Sequence, residues 1–236
     1  MNFDLLGYVQ KGGWAMYPLL GFLLLGLTFT FERMIVLFFQ KRKLKPDAFL
    51  DAFDQSLKKH GDDKDKVIEE MTALCKKKGG VAAEIMLEGL TKYQHAKNLD
   101  MAVFEMKRWL NDAIEERARI ELPQLESHLG IISVVATVSP LLGLLGTVLG
   151  MIKSFTVMAS AAGGAKPDEL AGGISEALIT TATGMIIAIP FLISYNAIKG
   201  AVENYVLLVE EAAIHLVDTL ILDSKSPREA QTTQGK

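Results

Sequence analysis

Threonines and glycines set at helical spacing inside uncharged stretches are the residues of this sequence best placed to do chemistry. Ala136, Pro140, Gly143, Thr147, Gly150 and Ser154 step by four and three residues, with Gly146 beside them, and so fall on one helical face. Ala177, Thr181, Gly184 and Ala188 repeat the pattern further on, with Thr180 and Thr183 close by. In lipid, small residues let two helix backbones approach, and hydroxyls bond across the gap. For the glycines, packing is the better reading. For Thr147 and Thr181 two readings stay open: packing alone, or the lining of a narrow polar path. A path for ions ordinarily needs an ionisable relay group inside the bundle. These apolar stretches hold no Asp, and the only nearby carboxylates are Glu32 and Glu176. Glu32 sits beside Arg33 and reads as a local ion pair or an interfacial anchor. Glu176 follows Gly172-Gly173 and reads as a carboxylate at a helix start, where the backbone dipole favours negative charge. If the protein conducts ions, a second polypeptide is expected to bring the membrane carboxylate.

Other chemistry is set aside by type and spacing. The four histidines, His60, His95, His128 and His215, are dispersed, and Cys75 is the single cysteine, so neither a metal cluster nor an internal disulfide is expected. Gly143, Gly146 and Gly150 imitate a phosphate loop but lie in an uncharged stretch without the Lys-Ser/Thr ending. Against 28 Asp and Glu stand 25 Lys and Arg, a net charge of -3, which gives no footprint for nucleic acid. No cofactor is implied, and an enzyme is not expected.

The elements that carry these residues are long and apolar. Half of the 236 residues are hydrophobic, and only 22% are charged. No charge interrupts Trp14 to Phe31, Leu129 to Ile152 or Ala177 to Ile198. About 20 apolar residues in a helix cross a hydrocarbon core of about 30 Å. Three buried helices of a soluble bundle are the alternative, and such helices seldom run this long without charge. The predicted fold class is an all-α integral membrane protein with three transmembrane helices and long cytoplasmic helical extensions, in contact with membrane lipid. The first span lacks the basic start and small-residue cleavage site of a signal peptide and is expected to stay as an anchor.

Basic residues orient the chain. Arg33, Lys41, Arg42, Lys43, Lys45, Arg117, Arg119 and Lys199 fall on one side of the spans, and Lys11, Lys153 and Lys166 on the other. Positive charge stays in the cytoplasm, which also suits a lone reduced Cys75. The expected order is an external segment 1–13, a first span 14–39, a cytoplasmic helical domain 40–128 and a second span 129–153. An external loop 154–173, a third span 174–198, a cytoplasmic helix 199–222 and a disordered tail 223–236 complete it. Apolar stripes mark the cytoplasmic helices: Phe49, Phe53 and Leu57; Val67, Met71 and Leu74; Met86 and Leu90. Gly61 and Gly79-Gly80 end such segments. From about Leu99 to His128 the pattern of Leu110, Ile114, Ala118 and Leu125 predicts one helix, or two stacked pieces, leading into the second span with an adjustment at Pro123. A helix from Ile174 to Leu222 is expected around the third.

At these residues the chain resembles the ExbB/TolQ/MotA family of proton-driven membrane motor subunits. The resemblance rests on SPLLGLLGTVLGMIKSF from Ser139 to Phe155 and on GGISEALITTATGMIIAIPFLISYN from Gly172 to Asn196. GGWAMYPLL and the Glu32-Arg33 pair match the family's first span. Three spans favour the ExbB/TolQ branch over four-span flagellar stators. The resemblance implies a ring, a homopentamer whose second and third spans enclose a pore. It also implies two copies of a single-span ExbD/TolR-like subunit carrying the proton-bearing Asp, and a TonB-like or TolA-like protein beyond. Thr147 and Thr181 match the family's pore threonines, Glu176 its pore-associated glutamate, and Pro140 and Pro190 its span prolines. Thr183, where relatives often carry an aliphatic residue, adds a hydroxyl to the implied proton pathway. Gly143, Gly146, Gly150 and Gly184 take the packing role. The implied function is a proton-channel subunit coupling proton-motive force at the inner membrane to work on the outer membrane, with TonB-dependent transport the first choice. A Tol-type envelope-maintenance or gliding motor subunit and a non-conducting scaffold are the alternatives. A solute transporter would show internal repeats or broken spans, and the sequence has neither.

Overall fold

The computed structural model describes residues 12–40, 43–61, 63–99, 101–160 and 167–222. The expected tail at 223–236, nearly all of the segment 1–13 and the middle of the loop 154–173 lie outside these residues. Among the described residues all regular structure is helical: α1 Met16–Gln40, α2 Pro46–His60, α3 Lys64–Lys78, α4 Val81–Asn98, α5 Val103–Glu121, α6 Pro123–Glu126, α7 Leu129–Ser160 and α8 Pro167–Leu222. Helices α1, α7 and α8 are each long and apolar enough to cross a membrane. The chain is thus an all-α membrane protein with long helical extensions. It divides into two compact units, one from Met1–Met34 and His128–Lys199, the other from Ile35–Ser127 and Gly200–Lys236.

In the first unit α1 is held at two points along its length. Phe191 of α8 is buried against Gly26 of α1, where a Cβ would lie 2.7 Å from a ring carbon. About two turns further on, Arg33 of α1 is buried, with its Nη2 2.8 Å from Glu32 Oε1, and His128 Nδ1 lies 3.1 Å from the same carboxylate oxygen. The Phe29 ring tilts against His128 at 5.1 Å. Glu32 therefore bonds both Arg33 and the histidine that precedes α7, rather than Arg33 alone.

The second unit has an ordinary apolar core. Phe49, Phe53, Val67, Met71, Met86, Leu90, Leu110 and Ile114 are buried together with Val209, Leu216 and Val217 of α8. These are the stripes visible in the sequence, turned inward. Gly89 lets three helices meet: a Cβ there would stand 2.8 Å from Ile114 and 3.4 Å from Leu216. Helix ends follow local chemistry. Pro46 opens α2, the Asp63 side chain caps α3, and Gly61 and Gly79 close α2 and α3 at φ 57° and 60°. Their amides return to Leu57 and Cys75 carbonyls at 2.8 Å.

Two boundaries differ from expectation. Of the one helix or two pieces expected over residues 99–128, the structure has separate pieces that do not run on into α7: Pro123 starts the single-turn α6, Ser127 is extended (ψ 144°), and His128 takes φ 62°. A proline cannot donate the helical bond of its N–H, so it ends α5 and opens a new turn. At its other extreme α8 starts at Pro167, not Ile174, because proline is preorganised for a first helical turn.

Cys75 is buried in α3, and burial, with the Glu84 charge as a lesser cause, pushes its thiol up to about 12. At pH 8 about one thiol in 10⁴ is then the reactive thiolate. The folded chain at pH 8 should resist a maleimide that labels it readily once unfolded in denaturing detergent. Equal labelling rates would contradict a buried Cys75.

Candidate functional site: the paired helices α7 and α8

Helices α7 and α8 run antiparallel across a face of glycines. A Cβ on Gly143 would sit 3.0 Å from Thr181 Cα and 3.1 Å from the Thr180 carbonyl. One on Gly150 would meet Ala177 Cβ at 2.9 Å and the Gly173 carbonyl at 3.1 Å. Gly146 faces the Thr180 side chain, and Gly184 lies on Ser139 and Gly143. All four of Gly143, Gly146, Gly150 and Gly184 are buried, as are Ser139 and Ser154. Each serine donates to its own helix, Ser139 to the Val135 carbonyl at 2.6 Å and Ser154 to the Gly150 carbonyl at 3.0 Å. Pro140 and Pro190 stand inside uninterrupted helices. Each frees the carbonyl four residues earlier from its usual donor.

The hydroxyls divide over different surfaces. Thr181, half-buried, donates across the helix pair to the Gly143 carbonyl at 2.9 Å. Thr147, also half-buried, donates to the Leu144 carbonyl of its own helix at 2.6 Å. Thr183 donates to the Ile179 carbonyl at 2.8 Å. It faces α1, lining an apolar cavity of about 770 Å³ with Thr30, Pro190 and Phe191. Thr183 and Pro190 therefore stand away from the glycine face that gathers Thr181 with Gly143, Gly146, Gly150 and Gly184. A threonine has one proton to donate and two lone pairs. In Thr147, Thr181 and Thr183 the proton goes to a carbonyl, so the oxygen offers acceptance to any group that comes near.

Glu176 does not owe its place to a helix start. It lies about two and a half turns into α8, beyond the reach of the terminal dipole. Instead Lys153 of α7 places its Nζ 3.0 Å from Glu176 Oε2. The single hydroxyl proton of buried Thr180 is shared between the Glu176 carbonyl at 2.8 Å and the Gly12 carbonyl at 3.0 Å. The Lys153 partnership escaped sequence reasoning, which had noted Lys153 only as a topology marker. Thr180 was visible as a neighbour of the small-residue face, but nothing in the spacing marked it as the buried hydroxyl. The α7–α8 register, with Gly150 on Gly173 and Gly143 on Thr181, is what links positions 153 and 176. No group of three or more His, Cys, Asp and Glu able to hold a metal occurs among the described residues.

A membrane protein whose paired helices pack on glycine and carry hydroxyls is the class that fold and site define. The chain belongs to the MotA/TolQ/ExbB proton channel family, which its residues 78–211, more than half its length, match. That family is one of channels, not of enzymes. Putative biopolymer transport protein ExbB-like 3 of Synechocystis sp. is 35% identical over 125 residues, 52% of this chain and 60% of the relative, so the match spans less than two thirds of that protein. Putative biopolymer transport protein ExbB-like 1 of Synechocystis sp. is 31% identical over 205 residues, 82% of this chain and 70% of the relative. The Tol-Pal system protein TolQ of Haemophilus influenzae is 42% identical over 79 residues, 34% of each chain.

Gly143→Ala puts a methyl group against backbone that cannot swing aside, and should cost about 1–3 kcal/mol. Gly130→Ala, where nothing lies within 4 Å of the added carbon, should change stability by less than about 0.5 kcal/mol. Thermal midpoints of the two variants in detergent check this. Equal midpoints would mean the helices do not approach so closely.

Proposed function

We propose that this chain forms the wall of a proton channel in an inner-membrane motor of the ExbB/TolQ kind. In this reading five copies surround a pore, and two single-span ExbD/TolR-like subunits inside it each bring an Asp. The N-terminus faces the periplasm, and residues 40–128 and the C-terminus lie in the cytoplasm. Protons pass between the ring and its guests, and the work reaches the outer membrane through a TonB-like or TolA-like protein. The observation that carries the reading is a hydroxyl-bearing pair of helices with no carboxylate of its own between Ala177 and Ile198 or between Leu129 and Ile152.

The committed threonine protons refine the mechanism. A protonated Asp is a donor and can be received by the lone pairs of Thr147 or Thr181 without breaking their bonds to Leu144 and Gly143. An ionised Asp is an acceptor only, and must draw on water or displace a carbonyl. Protonation also removes a charge whose exposure to an apolar wall is costly. Five equivalent wall sites cannot satisfy two carboxylates equally at once, so each protonation cycle advances the guest to a new site. TonB-dependent transport is the favoured output, in line with the ExbB-like relatives. Tol-type envelope maintenance is the second reading, in line with the similarity to the Tol-Pal system protein TolQ.

Thr181→Val and Thr147→Val keep the side-chain shape and remove the hydroxyl. In the complex purified through the full-length chain and reconstituted in liposomes, each should lower proton flux about tenfold, with assembly unchanged on sizing. Normal flux in both would leave the helices as a scaffold. In the host, loss of receptor-mediated uptake after deletion supports the TonB output, whereas detergent sensitivity with normal uptake supports the Tol one.

A further inference from the structure

The Glu176 carboxylate is confined on two sides, and its backbone is bonded on a third. Lys153 holds one carboxylate oxygen at 3.0 Å. The other lies against Gly13, where an ideal Cβ would overlap Glu176 Oε1, and Gly13 has φ 65°, a conformation that side-chain-bearing residues rarely adopt. Thr180 completes the set. Its hydroxyl, already close to the carbonyl of Glu176, also reaches Gly12, so the turn preceding α1 is tied to the helix that bears the carboxylate. Gly146 makes this possible, since a Cβ there would stand 2.9 Å from Thr180 Cβ.

We propose that Gly13, Thr180 and Lys153 are positioning residues that lock the Glu176 carboxylate at its end of the α7–α8 pair. The inference rests on the proposed proton path and on the reading of Glu176 as the glutamate associated with it. The Gly12–Gly13 turn is then more than a start for α1, although the Gly13 carbonyl does accept from Met16 N–H at 3.2 Å. Position 13 favours glycine because its φ is 65°, and an added Cβ would also push the Glu176 carboxylate from its place. With one oxygen on an ammonium and the other against a bare Cα, Glu176 keeps a single orientation.

The test is a double-mutant cycle on proton flux, using the complex purified through the full-length chain and reconstituted in liposomes. Glu176→Gln should lower flux about tenfold, and Gly13→Ala about three- to tenfold. If Gly13 acts through Glu176, the double variant will be no slower than Glu176→Gln alone. Thr180→Val should resemble Gly13→Ala, Thr180→Ser should restore near-normal flux, and Lys153→Arg should exceed Lys153→Met. Multiplying losses in the double variant, or normal flux in Gly13→Ala while Glu176→Gln is impaired, would overturn the positioning role. Normal flux in Glu176→Gln itself would instead remove the reading of Glu176 on which it rests. Should Gly13→Ala fail to assemble, the cycle of Thr180→Val with Glu176→Gln decides in the same way.

Discussion

The structure depends on how closely α7 and α8 approach. Lipid tails, as apolar as the side chains, give two membrane helices no hydrophobic reason to associate, so their attraction must come from packing and from bonds that only a short distance permits. Five glycines, Gly143, Gly146, Gly150, Gly173 and Gly184, line that contact. Because they are bare, Thr181 can reach a carbonyl on the opposite helix, Thr180 can sink between the two, and Lys153 falls opposite Glu176. Add a side chain at the centre and each of these placements shifts with it.

The second unit obeys a different solvent. Its helices bury aromatic and aliphatic stripes, leave charge outside, and close with glycine or open with proline and aspartate. Ion pairs such as Lys97–Asp65 and Lys107–Asp218 lie on its surface, where such pairs add little stability. Helix α8 supplies residues to both units, with Thr180 and Phe191 buried in one and Val209 and Leu216 in the other.

Much of this was legible beforehand, for identifiable reasons. Helical periodicity carries the identity of buried positions directly, so Phe49, Phe53, Met86 and Leu90 were found from spacing alone. Uninterrupted apolar length marked the helices able to cross a membrane. The small-residue faces were also visible, because a step of four and three residues draws one line along a helix. Interhelical register was not. Whether Lys153 meets Glu176, or His128 meets Glu32, depends on how two elements slide past each other, and a single sequence does not encode that locally. Direction around a helix axis was not legible either: Thr183, two residues from Thr181, lines the cavity beside α1 together with Pro190. The break at Ser127–His128 has no local signal, since the adjustment expected at Pro123 lies four residues earlier, where α6 opens.

Burial of Cys75 has a practical side. It is the chain's single cysteine, and its sulfur is sequestered in the core of α3 and its neighbours. The native protein is already a silent background for site-directed spectroscopy, with no natural residue to delete. A spin label attached through one engineered thiol would report from that position alone, and the set of distances between equivalent labels would count the copies in whatever assembly the membrane holds.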